Sequence, residues 1–217
     1  MTESLRHRNA ILGSIRRSLG NPKSSLEIAS EYAVIPRTYR QKGALEKSAL
    51  LDFFEDRLRE YDADVYRSSP SELGEMIGQI LTRRGKQRLA IPEGLPPSWL
   101  PSGFAFEQAT HVDANRLNGM DGVVSGCTVA IAETGTIVLQ NALAQGPRLL
   151  SLVPDYQLCI VLSHQIVEQV PEAFVRLRDT SNLPTTFISG PSATADIEMT
   201  RIKGVHGPRF LDVLIVA

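Results

Sequence analysis

Five consecutive apolar residues, Leu158-Cys159-Ile160-Val161-Leu162, stand in a segment bounded by polar and turn-forming residues. A strand with one wetted face alternates polar and apolar positions, so a strand apolar at every position must be covered on both faces. The C-terminal "FLDVLIVA" carries the same pattern. Runs of this length are far short of the roughly 18 residues that a membrane span needs, and they predict buried strands of a parallel sheet.

The rest of the chain supplies helices to cover that sheet. Residues 4–19 place Leu12, Ile15 and Leu19 at helical spacing, and Gly20-Asn21-Pro22 supplies a stop. The polar, Pro-containing stretch that follows reads as a connector, so residues 1–40 form an N-terminal helical extension and residues 41–217 the main domain. A second helix over about Ala44–Tyr61 aligns Leu50, Phe54, Leu58 and Tyr61. "ADVYRSS" reads as a strand; Ser69-Pro70 with Glu72 then reads as a capping box opening a helix with the stripe Leu73, Ile77, Ile80, Leu81, closed by Gly85. "QRLAIPEG", "TTFIS" and "DVLIVA" read as strands, and "PEAFVRLRDT" and Pro191–Lys203 as helices. Strands alternating with helices predict an α/β fold, a mostly parallel sheet with helices on both faces.

Composition narrows the function. Aromatics are 6% of the chain, and 23 basic against 24 acidic residues leave a net charge of −1, so neither base stacking nor a global field favours nucleic acid or anionic lipid. The N-terminus lacks the continuous apolar core and small-residue cleavage site of a secretory signal, which makes the cytoplasm the expected location. Cys127 and Cys159 cannot by themselves hold an iron–sulfur cluster, which takes four thiolates, and four dispersed histidines form no zinc motif. No metal site and no cofactor motif is evident, and the phosphate-loop, dinucleotide, nucleophile-elbow and H-E-x-x-H patterns are all missing from the sequence.

Two segments carry candidate chemistry. Thr128–Ala132 and Thr136–Leu139 flank Glu133-Thr134-Gly135, which reads as a tight turn with Gly135 at positive φ and Glu133 at its tip. That glutamate is either a solvated hairpin acid or a carboxylate held in a crevice as base or nucleophile. In "FISGPSATADIEMTRIKGVHGPRF", Ser189-Gly190 reads as a turn and Pro191 as the first residue of a helix. Such a helix start, with Ser192 and Thr194 nearby, offers N–H groups to a phosphate or carboxylate, although Asp196 and Glu198 early in the helix equally satisfy its dipole. His206, in a loop before the last strand, reads as a hydrogen-bonding anchor or as a catalytic group. A crevice at the carboxyl ends of the strands would gather both loops.

"IAETGTIVL", "SGPSATADIE" and "GVHGP" before a hydrophobic strand resemble, in that order, the lactate utilisation protein C (LutC/YkgG) family, whose defining unit is the LUD domain. The likeness covers roughly residues 40–217. It implies a NagB/RpiA/CoA-transferase-like fold and a place in a system oxidising L-lactate to pyruvate, with the iron–sulfur clusters on companion proteins. The family supplies no catalytic residue set. Class I CoA-transferases, on a related fold, use a glutamate followed by a small or polar residue and glycine as acyl acceptor, a pattern that Glu133-Thr134-Gly135 is similar to. The candidate site is therefore Glu133 and His206 for chemistry, with Thr134, Gly135, Ser189, Gly190, Ser192 and Thr194 around a small anion.

Overall fold

The computed structural model describes residues 3–20, 23–109, 113–194, 202–203 and 207–217. Two compact units divide the chain, Met1–Tyr39 and Arg40–Ala217. The first holds α1 (Glu3–Leu19) and α2 (Ser25–Ala33). The stretch expected to be a plain connector thus contains a helix. Its start is encoded in Ser24 and Glu27: the Glu27 N–H donates to the Ser24 hydroxyl, and the Ser24 N–H donates to the Glu27 carboxylate. No residue of α2 is buried.

In the second unit the elements run α3 (Lys47–Glu60), β1 (Asp64–Ser68), α4 (Leu73–Arg83), β2 (Arg88–Ile91), β3 (Ala105–Gln108), α5 (Ala114–Asn118) and β4 (Gly122–Ser125). They continue with β5 (Val129–Ile131), β6 (Thr136–Gln140), β7 (Tyr156–Leu162), β8 (Ile166–Val167), α6 (Val170–Arg176), β9 (Thr185–Ile188), β10 (Ala193–Thr194), β11 (Ile202–Lys203) and β12 (Phe210–Val216). Six strands form a parallel sheet in the order β1-β12-β7-β4-β2-β3. β7 and β12 are neighbouring interior strands of it, as their two-sided apolar character requires.

The two faces of that sheet separate by residue parity. Leu158, Ile160, Leu214 and Val216 pack with Leu73, Ile77, Ile80 and Leu81 of α4. Cys159, Val161, Val213 and Ile215 pack with Leu51, Phe54 and Leu58 of α3 and with Ala130, Ile137 and Ile166 of a second sheet. The second sheet has the order β8-β5-β6-β9, and α6 packs on its other side through Ala173 and the flanking Leu177. "TTFIS" was expected to join the parallel sheet; β9 instead pairs antiparallel with β6. The β5–β6 hairpin explains this, since it opens an antiparallel edge that a later strand can extend.

Three local expectations are corrected. α4 begins at Leu73, and Ser69 to Glu72 form a turn in which the Ser69 hydroxyl donates to the Glu72 carboxylate at 2.7 Å, so Pro70 precedes the helix. Pro191–Lys203 is not one helix: Ala193–Thr194 pairs antiparallel with Ile202–Lys203. The Ser192 N–H that a helix start would leave open instead donates to the Pro208 carbonyl at 2.8 Å, drawing the chain into an extended path. Residues 195–201, with Asp196 and Glu198, lie outside the described residues.

Asp212 is the charged exception inside β12, and it is fully buried. The Arg84 guanidinium, at the C-terminal end of α4, grips both its oxygens, and the Tyr156 hydroxyl donates to Oδ2 at 2.9 Å. Burial, with the Asp212 charge beside it, raises the Tyr156 phenol well above its ordinary value, so it stays a neutral donor. Replacing Asp212 by Ala strands this donor and leaves Arg84 with only the exposed Asp64. We expect Asp212→Ala to cost about 3 kcal/mol in a urea titration, the range for breaking a buried pair on one side; a loss under about 1 kcal/mol would show the cluster to be dispensable.

Candidate functional site

A cleft of about 320 Å³ opens between the parallel sheet and β9. Its walls include Arg148, Ser151, Gln157, Thr186, Ser189 and Ser192. Gln157 and Leu211, which also lines it, are the second residues of β7 and β12 and pair in register. The cleft therefore lies over the amino ends of the central strands, correcting the expectation of a carboxyl-end crevice.

Local chemistry shapes each wall. Gly146, at φ 72°, turns the chain into a short helical turn over Arg148–Ser151, stitched by the Ser151 hydroxyl donating to the Arg148 carbonyl at 3.0 Å. This directs Arg148 across to β9, where its Nη1 donates to Thr186 Oγ1 at 2.9 Å. Gly190 has φ 77°, and a Cβ there would collide with the Tyr61 carbonyl, so only glycine lets the Ser189-Gly190 turn seat against the end of α3. Arg209, at the entry to β12, is neutralised by both oxygens of Asp155 at 2.5 and 2.6 Å. Arg148 is exposed, and among the described residues no carboxylate pairs with it.

The floor is Gln157, only 1% exposed. Its Nε2 donates to the buried Ser125 Oγ at 3.1 Å, and its Oε1 has no hydrogen-bond partner among the described residues. Buried polar atoms are almost always paired, and this oxygen is an exception that lies closed to solvent beside the cleft. Gln157 and Arg148 were not singled out from sequence. The readable signal was a lone amide inside the otherwise apolar "YQLCIVL".

The expected site residues divide. Ser189, Gly190 and Ser192 line the cleft. Thr134 is tied to it indirectly: its hydroxyl lies 2.7 Å from that of Thr136, which lies 2.8 Å from that of Ser189. Gly135 has the expected positive φ, 57°, and its turn abuts the Arg57 backbone. Glu133 is exposed and is not part of the cleft wall; its N–H donates to the Glu168 carbonyl at 3.0 Å. The backbone of Thr194 is in β10 rather than at a helix start, and His206 lies outside the described residues.

A second cluster of converging N–H groups is already occupied. The buried Glu168 carboxylate accepts from Ala44 N at 2.6 Å and Leu45 N at 2.7 Å and pairs with Arg40, while Glu172 accepts from Gly43 N at 3.1 Å. This clamps the segment before α3 onto β8 and α6. Burial acts to raise the Glu168 pKa, but the Leu45 and Ala44 N–H groups outweigh it and hold the acid below its ordinary 4.5. A depressed folded pKa contributes stability above about pH 4.5 and loses it as pH falls through the lower, folded value. Glu168→Gln should thus lose about 2 kcal/mol at pH 7, as for charge-assisted bonds, with the gap to wild type closing as pH falls through the lowered folded pKa. A constant gap across pH 3–7 in urea midpoints would assign the effect to packing instead.

With this geometry in place, the comparisons define the class. The LUD domain model matches residues 51–216, and the chain belongs to that family. A Deinococcus radiodurans protein named lactate utilization protein C is 39% identical, with the match covering 82% of this chain and 84% of that one. A protein of the same name from Oceanobacillus iheyensis is 28% identical over 98% of this chain and 99% of its own. Among solved structures, a DUF162 family protein from Deinococcus radiodurans superposes with a TM-score of 0.71 at 35% identity, covering 80% of this chain and all of that one.

Proposed function

We propose that this chain serves lactate utilisation as a ligand-holding component whose cleft takes a small carboxylate, with the iron–sulfur clusters carried by companion proteins. The pathway part rests on the names of its relatives. The cleft part rests on one observation, Arg148 held across the cleft mouth by Thr186 without a carboxylate among the described residues. A guanidinium presents a planar fork of donors matched to a carboxylate, and the hydroxyls of Ser189 and Ser192 line the same space.

A second role for the N-terminal unit has its own support. Ile11, Ile15 and Leu19 of α1 and Leu26 and Ile28 of α2 are all exposed, an unusual load of apolar surface for helices that bury so little. Docking of companion subunits is the role we assign to that unit.

Host extracts lacking this chain should lose lactate-dependent reduction of an artificial electron acceptor and regain it when the purified protein is added back. Add-back of Arg148→Gln should restore at most about a tenth of the rate, the effect of losing one charged hydrogen-bond partner. Full restoration by that variant would remove the cleft from the reaction, and unchanged activity without the chain would remove the pathway assignment. Deleting residues 1–22 should abolish co-purification of companion proteins while the cleft variants leave it intact.

A further inference from the structure

Helix α1 carries a seam rather than a scatter of apolar side chains. Leu5, Arg8, Leu12, Ile15 and Leu19 follow one another at alternating spacings of three and four residues, the heptad register in which one helix packs along another. Ile11 flanks this stripe. No residue from Leu5 to Leu19 is buried, and Ile11, Ile15 and Leu19 are 61%, 48% and 76% exposed. The charge on the helix is one-sided. Arg8 stands within the seam and Arg16 immediately beside it; Arg6 and Arg17 add to them, and Glu3 is the only acid of α1. An open apolar stripe with cationic flanks finds its complement in a partner that is apolar along its middle and acidic along its edges.

We propose that α1 docks along an amphipathic helix of a companion protein, one whose apolar stripe is flanked by carboxylates that meet Arg8 and Arg16. This rests on the reading of the N-terminal unit as a docking element. Charge selects this occupant over the others. Pairing α1 with α1 of a second copy sets two cationic seams together with no acid between them, and like charges at such positions oppose association. Nor does α2 of a second copy serve, because its acids are engaged: the Glu27 carboxylate accepts from the Ser24 N–H, and Glu31 pairs with Lys23 at 2.6 Å. A lipid surface would receive Arg8 in the middle of the inserted stripe, where a guanidinium is costly. A partner helix can instead set a carboxylate opposite it, and the planar fork of Arg8 matches both oxygens.

The test is fluorescence anisotropy of two labelled synthetic heptad peptides titrated with the full chain. Both carry leucine at the seam positions; one has glutamate at the flanking positions and the other lysine. The glutamate peptide should bind at least about tenfold more tightly, as expected for two charge pairs along a partly desolvated seam. The double variant Arg8→Glu with Arg16→Glu should reverse that preference, and Ile15→Asp should weaken binding of the glutamate peptide by a similar factor. Equal binding of the two peptides, or binding of neither, would overturn the acidic partner helix. So would co-sedimentation with phosphatidylcholine–phosphatidylglycerol vesicles in place of peptide binding, which would assign α1 to a lipid surface. A dimer that Ile15→Asp dissociates would assign it to a second copy. Loss of companion proteins on deleting residues 1–22, together with indifference to the peptides, would leave the docking reading standing without this partner. Their retention after that deletion would remove the docking reading itself. The wild-type comparison of the two peptides decides the matter even where a variant loses its helix.

Discussion

Two-sided burial of β7 and β12 is the constraint from which the remaining architecture follows. Strands apolar on both faces need two covering layers, and the chain provides α4 on one side and α3 with the second sheet on the other. The same burial makes every polar side chain in those strands costly unless it is paired. Only Gln157 and Asp212 break the apolar run within the two strands, apart from the Tyr156 hydroxyl, and parity sends them to opposite faces. Asp212, facing α4, is fully served by Arg84 and Tyr156. Gln157, facing the second sheet, is half served by Ser125. One face therefore closes as a structural cluster, and the other stays open as a cleft.

The acid-filled N–H cluster at Gly43 to Leu45 shows how the chain distinguishes structure from site. Converging backbone donors attract any anion, and here the protein supplies its own in Glu168 and Glu172. Similarly, Arg67 is matched by Asp52 and Glu55, Arg209 by Asp155, and Arg84 by Asp212 and Asp64. Against these neutralised cations, Arg148 differs in bonding a hydroxyl and no described acid. An exposed guanidinium costs little while water solvates it, which leaves its charge available to an incoming carboxylate.

Much of the frame was legible because it follows from periodicity. Phe54 and Leu58 recur at helical spacing and are buried on α3, though Leu51 rather than the expected Leu50 completes that face and Tyr61 is exposed, and Gly85 and Gly135 adopt the positive φ that their turn positions implied. The β5–β6 hairpin was legible from the Glu133-Thr134-Gly135 turn, but its place in a separate second sheet was not, because Val129–Ile131 and Thr136–Gln140 are as fully buried as the parallel strands and carry no alternation to set them apart. Pro191 misled for a different reason. It fits the first turn of a helix and an extended strand equally, and the choice was made by a long-range bond from Ser192 N to Pro208 O that no local pattern contains. Of the candidate site, the Ser189-Gly190-Ser192 turn was visible as a cluster of small residues, whereas Arg148 and Gln157 meet it only through tertiary folding.

The placement of the cleft has a thermodynamic consequence. Gln157 belongs to the parallel sheet, while Thr186 and the Ser189 turn belong to β9 and its continuation in the second sheet. On the proposed reading, a carboxylate bound to Arg148 would span the two layers at an edge where direct packing gives way to open space. Binding only to the assembled layers stabilises the folded chain by mass action, and the gain grows with the logarithm of ligand concentration above its Kd. A cleft between layers thus couples occupancy to the register of the two sheets, which a pocket confined to one loop cluster would not do. Ser189 is joined through Thr136 to Thr134, so hydrogen bonds link the cleft wall to the hairpin turn that carries Glu133. The turn most conspicuous in the sequence thus meets the cleft wall through a chain of hydroxyls, with its carboxylate left in solvent.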